Sequence, residues 1–499
     1  MRSSGILLPI FSLPGKYGIG CFSEEAYKFA DFLKDSRQTY WQILPLGPTS
    51  YGDSPYQSFS TFAGNPYFID PEELVRRKLL TRAELGRADL FDTPEDINYE
   101  KLYKNRYPLL RKAYEKSRIY EDPGFEEFKR NNDYWLDDYA LFMALKDFFG
   151  GGSFDTWPED IRLRYDYALD YYRRELYYEI EFHEFLQYEF TLQWQKLKAY
   201  ANERGVRIIG DIPIYVACDS ADVWAHPELF RMNEDGKPSA VAGCPPDGFS
   251  ATGQLWGNPL YNWEYHARTA FHWWMDRIRK CRELYDVIRI DHFRGFDEYY
   301  SIPAGDKTAE FGHWEHGPGI DLFKTIDYFL PGTSIIAEDL GYMTDSVREL
   351  VRRTGYPNMK VLEFAFDSRD SSGPREYLPH NYNKNCVVYT GTHDNETLMG
   401  WLGNLPECEL SSVRAYVNEP FMDPDGLADE LIRLAHSSAA DTCIIPLQDY
   451  LHLKNEARIN TPSTLGNNWR WRLSGKMLTP DLAGRISKLT ELYGRANGS

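Results

Sequence analysis

The sequence predicts an α/β fold, a (β/α)8 TIM barrel enlarged by inserted subdomains, and three observations carry that prediction. Eight short apolar or β-branched runs are spread along the chain, amphipathic helical stretches separate several of them, and each run gives way to polar residues. Strands of buried type that alternate with helices form a parallel sheet, and eight repeats close it into a barrel.

The runs follow in order. "GILLPIFSL" (5–13) and "YWQILPLGPT" (40–49) flank "SEEAYKFADFLKDSRQ" (23–38), a helix with Ser23 as N-cap and two glutamates suited to the positive end of its dipole. "VRIIGDIPIYV" (206–216) and "DVIRIDHF" (286–293) come next, with the helical "AFHWWMDRIRKCREL" (270–284) leading into the second. "TSIIAEDLG" (333–341), the helical "DSVRELVRRTG" (345–355), "MKVLEFAFD" (359–367), "CVVYTGTHDN" (386–395) and "TCIIPLQDY" (442–450) complete the set.

A plain barrel needs about 250 residues, so roughly half of this 499-residue chain must be insertion within a single barrel spanning 1–499. The largest insertion, about 70–180, is charged, Tyr-rich and helical in pattern, and is read as a mainly helical subdomain. A second, about 231–262, is rich in Gly and Pro, lacks a helical period, and reads as a long ordered loop beside the strand ends.

Composition narrows the function. Net charge is -19 and the pI about 5.1, which argues against nucleic acid and anionic membrane surfaces, since both reward basic patches. Seven scattered cysteines, an odd count without a C-x-x-C pair, fit reduced thiols in a cytoplasmic protein. The apolar N-terminal run is short and broken by Pro9, so it is not read as a secretion signal, and no apolar stretch reaches the ~20 residues of a membrane span. Aromatics make up 15% of residues; they fill cores, and they also form platforms for sugar C–H faces. No cofactor is expected: "GKYGIG" (15–20) lacks a dinucleotide-binding order, and "GHWEHG" (312–317) departs from H-E-x-x-H and reads as a binding loop, not a metal site.

Four runs end in acids: Asp211 in "GDIP", Asp291 in "RIDHF", Glu338 in "AEDLG" and Asp394 in "THDNE". Barrel enzymes build their sites at the C-terminal strand ends, so these carboxylates converge. Glu338 and Asp339 are adjacent, so only one of them faces inward. In "YDVIRIDHFRGF" (285–296) alternation puts Arg289 and Asp291 on one face and Ile288 and Ile290 on the other. That pair is either a structural ion pair or a pinned nucleophile; in the second case Arg289 is expected to hold the Asp291 pKa down. An ionised carboxylate facing a protonated one is what retaining glycoside chemistry requires.

The chain resembles the 4-alpha-glucanotransferases (amylomaltases or disproportionating enzymes) of glycoside hydrolase family 77. The resemblance rests on "GILLPIFSLPGKYGIG", "LPLGPTSYGDSPYQSFSTFAGNPYFI", "GDIPIYVACDSADVW", "GCPPDGFSATGQLWGNPLY", "RIDHFRGF", "IIAEDLG", "GTHDNET" and "RINTPSTLGNNWRWRL". It implies a barrel with inserted subdomains and no C-terminal β-sandwich, and transfer of α-1,4-glucan segments between maltooligosaccharides through a covalent glycosyl-enzyme, with neither cofactor nor metal. It further implies Asp291 as nucleophile, Glu338 as acid/base and Asp394 as the acid that holds the distorted sugar ring. Arg289, His393, Asp211, Tyr56, Phe249, Gln254, Trp256, Asp247 and Asn395 match positions that contact the substrate. An α-amylase-like hydrolase would use the same three acids and differ in its products. A retired, non-catalytic glucan-binding barrel would normally have lost one of them.

Overall fold

The computed structural model describes residues 2–49, 53–246, 251–341, 343–367 and 374–496. Among them eight strands close a barrel: β1 (Ser3–Leu7), β2 (Tyr40–Gln42), β3 (Arg207–Pro213), β4 (Val287–Asp291), β5 (Ile335–Ala337), β6 (Asn358–Val361), β7 (Cys386–Tyr389) and β8 (Thr442–Pro446). Each pairs in parallel with its neighbour in chain order, and β8 closes on β1. All eight lie within the runs predicted as strands or overlap them.

The period-2 alternation explains why charges sit in β4. Val287 joins Leu7, Ile209, Ile336, Met359, Val387, Tyr389 and Ile444 in an apolar plug inside the barrel. Ile288 and Ile290 point outward into the layer beneath the helices. Arg289 and Asp291, on the same side as Val287, therefore climb from the plug to the mouth.

Between β2 and β3 the chain forms helices at Pro71–Arg76, Arg82–Gly86, Tyr99–Ser117, Pro123–Asn131, Asp133–Phe148 and Asp166–Glu175 before the long helix Tyr177–Glu203. Asp70 caps the first, accepting from the Glu72 amide at 3.1 Å, and Thr81 with Glu84 forms a capping box on the second. The long helix returns the chain to the barrel, and its Trp194 indole donates to the Leu284 carbonyl at 3.0 Å. Ser23 holds the N-cap position of the Glu24–Asp35 helix but makes no capping hydrogen bond.

The segment 231–262 departs from the expected loop. Ala240–Cys244 and Gln254–Pro259 are strands of an antiparallel sheet with Glu298–Pro303 and His313–His316. Their Gly- and Ala-rich run carries little of the β-branched alternation that announces a strand, and the pairing partner lies some sixty residues on, so the ladder is a tertiary feature. The same sheet absorbs "GHWEHG": Glu315 takes a 2.7 Å contact from Arg231 and a hydrogen bond from Tyr299, and His313 lies 3.2 Å from Glu315. After β8, residues 447–496 hold helices and turns and no ladder strand among the described residues. No helix of the described residues is long and apolar enough to cross a membrane.

Candidate active site

The ends of β3, β4, β5 and β7 deliver the acids to one place. Asp211 is fully buried and accepts from Arg289 Nη1 at 2.7 and 2.6 Å, a pairing set by the β3–β4 register, in which the two residues face each other. The same guanidinium reaches Asp291 at 3.0 Å, and its Nε lies 3.3 Å from the Met359 sulfur on β6. One buried cation thus serves two carboxylates.

Tyr56 closes this cluster from the segment after β2. Its hydroxyl donates to Asp211 at 2.9 Å and lies 2.9 Å from His393 Nε2, and its ring stacks on His393 at 5.2 Å. His393 in turn is 3.3 Å from Asp394. Asp394 also accepts from Asn460 Nδ2 at 2.6 Å, while Arg458 donates to its backbone carbonyl at 2.7 Å.

Glu338 follows β5 directly, and its two oxygens accept from the backbone amides of His292 at 2.6 Å and Leu340 at 2.8 Å. His292 can offer its amide because it sits in the left-handed region at φ 54° immediately after Asp291. This turn fixes the C-terminal end of β4 against that of β5. Asp339 faces the other way, bound by Asn358 and the Met359 amide, as adjacency requires.

Environment separates the acids. Burial pushes Asp291 up to about 6, with Arg289 opposing and Asp211 and Asp394 adding to the rise. The expectation that Arg289 would hold Asp291 low is corrected here: loss of solvation is the larger influence, and Asp211 takes the closer share of the cation. Burial pushes Glu338 higher, to about 8, and the Asp291 charge adds to it. For Asp394 burial also acts upward, but His393 and the Asn460 hydrogen bond outweigh it and hold the carboxyl down at about 2. At neutral pH the site therefore holds two ionised rim acids and one neutral one.

Among the other predicted site residues, Trp256 is set edge-on to His292 at 4.8 Å and donates to Gln254 at 3.1 Å, so both flank the mouth beside Asp291. Asn395 is different: its Oδ1 accepts from the Thr392 amide and hydroxyl at 2.9 and 2.8 Å, tying the turn that presents His393 and Asp394. Phe249 and Asp247 lie outside the described residues. His292, Asn460, Arg458 and Trp469, whose ring lies 5.8 Å from Tyr56, were not singled out individually. The last three stand in the quoted "RINTPSTLGNNWRWRL", which was the available signal.

A parallel barrel whose C-terminal rim gathers acids of opposed protonation supplies what a two-carboxylate glycosidic-bond enzyme requires. A family model described as 4-alpha-glucanotransferase, that of glycoside hydrolase family 77, matches residues 8–479. The 4-alpha-glucanotransferase of Clostridium butyricum is 50% identical over 97% of this chain and 99% of its own length; that of Thermus thermophilus is 44% identical over 98% of each. The solved amylomaltase from Streptococcus agalactiae in complex with acarbose superposes with a TM-score of 0.95 at 41% identity, covering all of both chains. The chain belongs to glycoside hydrolase family 77, the 4-alpha-glucanotransferases. It is an enzyme that transfers α-1,4-glucan segments from a donor to an acceptor by a retaining double displacement.

Proposed function

We propose that Asp291 is the nucleophile, Glu338 the general acid/base and Asp394 the acid that stabilises the sugar ring in this reaction. The observation that carries the assignment is the split between neighbouring carboxylates: Glu338 is raised well above Asp291, so near neutrality the first is protonated and the second ionised. The Asp291 carboxylate attacks the anomeric carbon and forms a glycosyl ester as the glycosidic C–O bond breaks; the Glu338 proton goes to the departing oxygen. In the second half Glu338, now ionised, takes the proton of an acceptor hydroxyl, whose oxygen attacks the anomeric carbon and releases Asp291. Asp394, ionised and anchored by His393 and Asn460, faces the positive charge that develops on the ring.

Bulk water is ~55 M, so a sugar acceptor prevails only if it is bound and oriented while water is held off. Trp256, packed on His292 at the rim, is assigned that covering role, and Gln254, Tyr56, Asp211, Arg289 and His393 the contacts to maltooligosaccharide substrates. The acarbose complex of the S. agalactiae amylomaltase supports an oligosaccharide ligand for this cleft. Seven free thiols support a reducing, cytoplasmic setting.

Purified protein incubated with maltotriose is expected to release glucose and build a ladder of longer maltooligosaccharides, and Asp291→Asn to abolish both. Glucose and maltose without longer chains would make water the acceptor and overturn the role given to Trp256.

A further inference from the structure

On the outer face of the barrel, away from the mouth, a recess of about 550 Å³ lies between the Asp345–Thr354 helix, β6 and the short Pro374–Tyr377 helix. In a (β/α)8 barrel each strand is normally followed by a helix that covers it. After β6 the described helical pieces are the turns Leu362–Phe366 and Pro379–Asn381 and the four-residue Pro374–Tyr377. Asn358 and Lys360, on the outward side of β6, line the recess.

Arg348, Arg352, Lys360 and Arg375 line the recess together with Asp339 and Glu376; Arg348 is paired with Glu376 and Arg352 with Glu349, which leaves Lys360 and Arg375 as the lining cations without an ion pair among the described residues. Both carboxylates are already engaged. Asp339 is taken by Asn358 and the Met359 amide, and Glu376 by Arg348 at 2.8 Å. Lys360, half-buried in mid-strand, forms no ion pair among the described residues; its ammonium lies 5.3 Å from the centre of the Tyr377 ring. Lys360 points outward from the strand into the recess, where its ammonium is open to an anion. Asn381, Asn383 and Asn385 also line the recess; Asn381 and Asn385 donate Nδ2 to the Arg375 and Gly355 carbonyls at 2.7 and 2.9 Å, so it is their Oδ1 atoms that suit hydroxyl donors.

We propose that this recess binds a small phosphorylated sugar, with the phosphate on Lys360 and Arg375 and the hydroxyls on the asparagines. Its volume lies in the range of sites for organic ligands and is far more than a bare tetrahedral oxyanion needs, and the arginines and lysine supply charge-assisted donors for the phosphate. The recess also touches the catalytic machinery from behind. Asp339 is the residue after Glu338, and Met359, held by Asp339, contacts Arg289. Occupancy therefore alters transfer activity, an effect that rests on the assignment of Glu338 and Arg289 above, whereas binding itself does not.

Thermal unfolding and calorimetric titration of the full chain with glucose 6-phosphate, glucose 1-phosphate, inorganic phosphate and glucose, at matched ionic strength, test this. One or both hexose phosphates are expected to raise Tm by about 2–3 °C at a hundredfold excess over Kd and to shift the rate of maltotriose disproportionation. The shift is expected to vanish in Lys360→Met and in the surface variant Arg375→Ala, both with unchanged basal activity. No binding of any phosphate, binding of inorganic phosphate as tight as that of the sugar phosphates, or equal binding by both variants would overturn the proposal. The binding readout is independent of the maltotriose ladder, so its failure and that of the transferase assignment are distinguishable.

Discussion

Replacing Arg289 by methionine removes the one cation that Asp211 and Asp291 share while keeping most of its volume. Arg289 is 3% exposed and Asp211 fully buried, so the variant leaves two carboxylates side by side on β3 and β4, and one of them must take up a proton. Breaking a buried pair in this way costs about 3–5 kcal/mol. Unfolding entropy near 2.1 cal/mol/K per residue gives about 1 kcal/mol/K for a chain of this length, so Tm is expected to fall by about 3–5 °C. The nucleophile responds as well. A unit charge about 4 Å away at an effective dielectric of 20 is worth about 4 kcal/mol, or about 3 pKa units; because Asp211 competes for both the cation and the proton, an upward shift of about 1–2 units is expected for Asp291. The assay is kcat/KM for maltotriose disproportionation between pH 4.5 and 9.5, with unfolding followed by circular dichroism. An acid limb that stays in place in a variant whose Tm is also unchanged would refute the claim that this cation sets the state of the nucleophile.

The wild-type profile is itself a prediction: kcat/KM should be bell-shaped, since acid below about 6 protonates Asp291 and base above about 8 ionises Glu338. Near pH 5 it should be about tenfold below its value at pH 7, and a profile flat from pH 5 to 9 would remove the acid/base assignment. Glu338→Gln should lower maltotriose turnover by about 10²–10⁴, yet leave glycosylation by an α-maltosyl fluoride donor far less affected, because fluoride departs without a proton; equal losses on both donors would count against Glu338 as the acid. Trp256→Ala should raise the ratio of hydrolysis to transfer, read from the reducing ends released per longer chain formed; an unchanged ratio would end its covering role.

The barrel was legible because its strands are buried on both faces and so read as continuous apolar runs, each cut short where a polar group reaches the mouth. The rim acids were legible for the same reason, as charges standing where the apolar run stops. Asn460 and Arg458 were not, because they reach Asp394 from a segment some sixty-five residues downstream whose local pattern is only that of a Gly- and Asn-rich loop. The state of Asp291 was misjudged from neighbours in sequence: Arg289 is adjacent on the strand, but how far burial opposes it, and how much of the cation goes to Asp211, are fixed by the β3–β4 register. The side sheet of Ala240–Cys244 and Gln254–Pro259 was missed because its stability comes from pairing with Glu298–Pro303 and not from its own residues.

Where the site keeps its proton follows from the same register. Arg289 lies against Asp211 and Asp291, and His393 against Asp394, so these two side chains are committed to three of the four acids. Glu338 is left with two backbone amides, which stabilise a carboxylate less than a full charge does and leave lone pairs for a proton. Burial then decides, and the neutral form resides on Glu338. That placement has a kinetic consequence: Asp291 and Asp394 meet the substrate ionised while Glu338 keeps the proton, so a ring that gains positive charge in the transition state is better matched to these two carboxylates than the neutral sugar it came from.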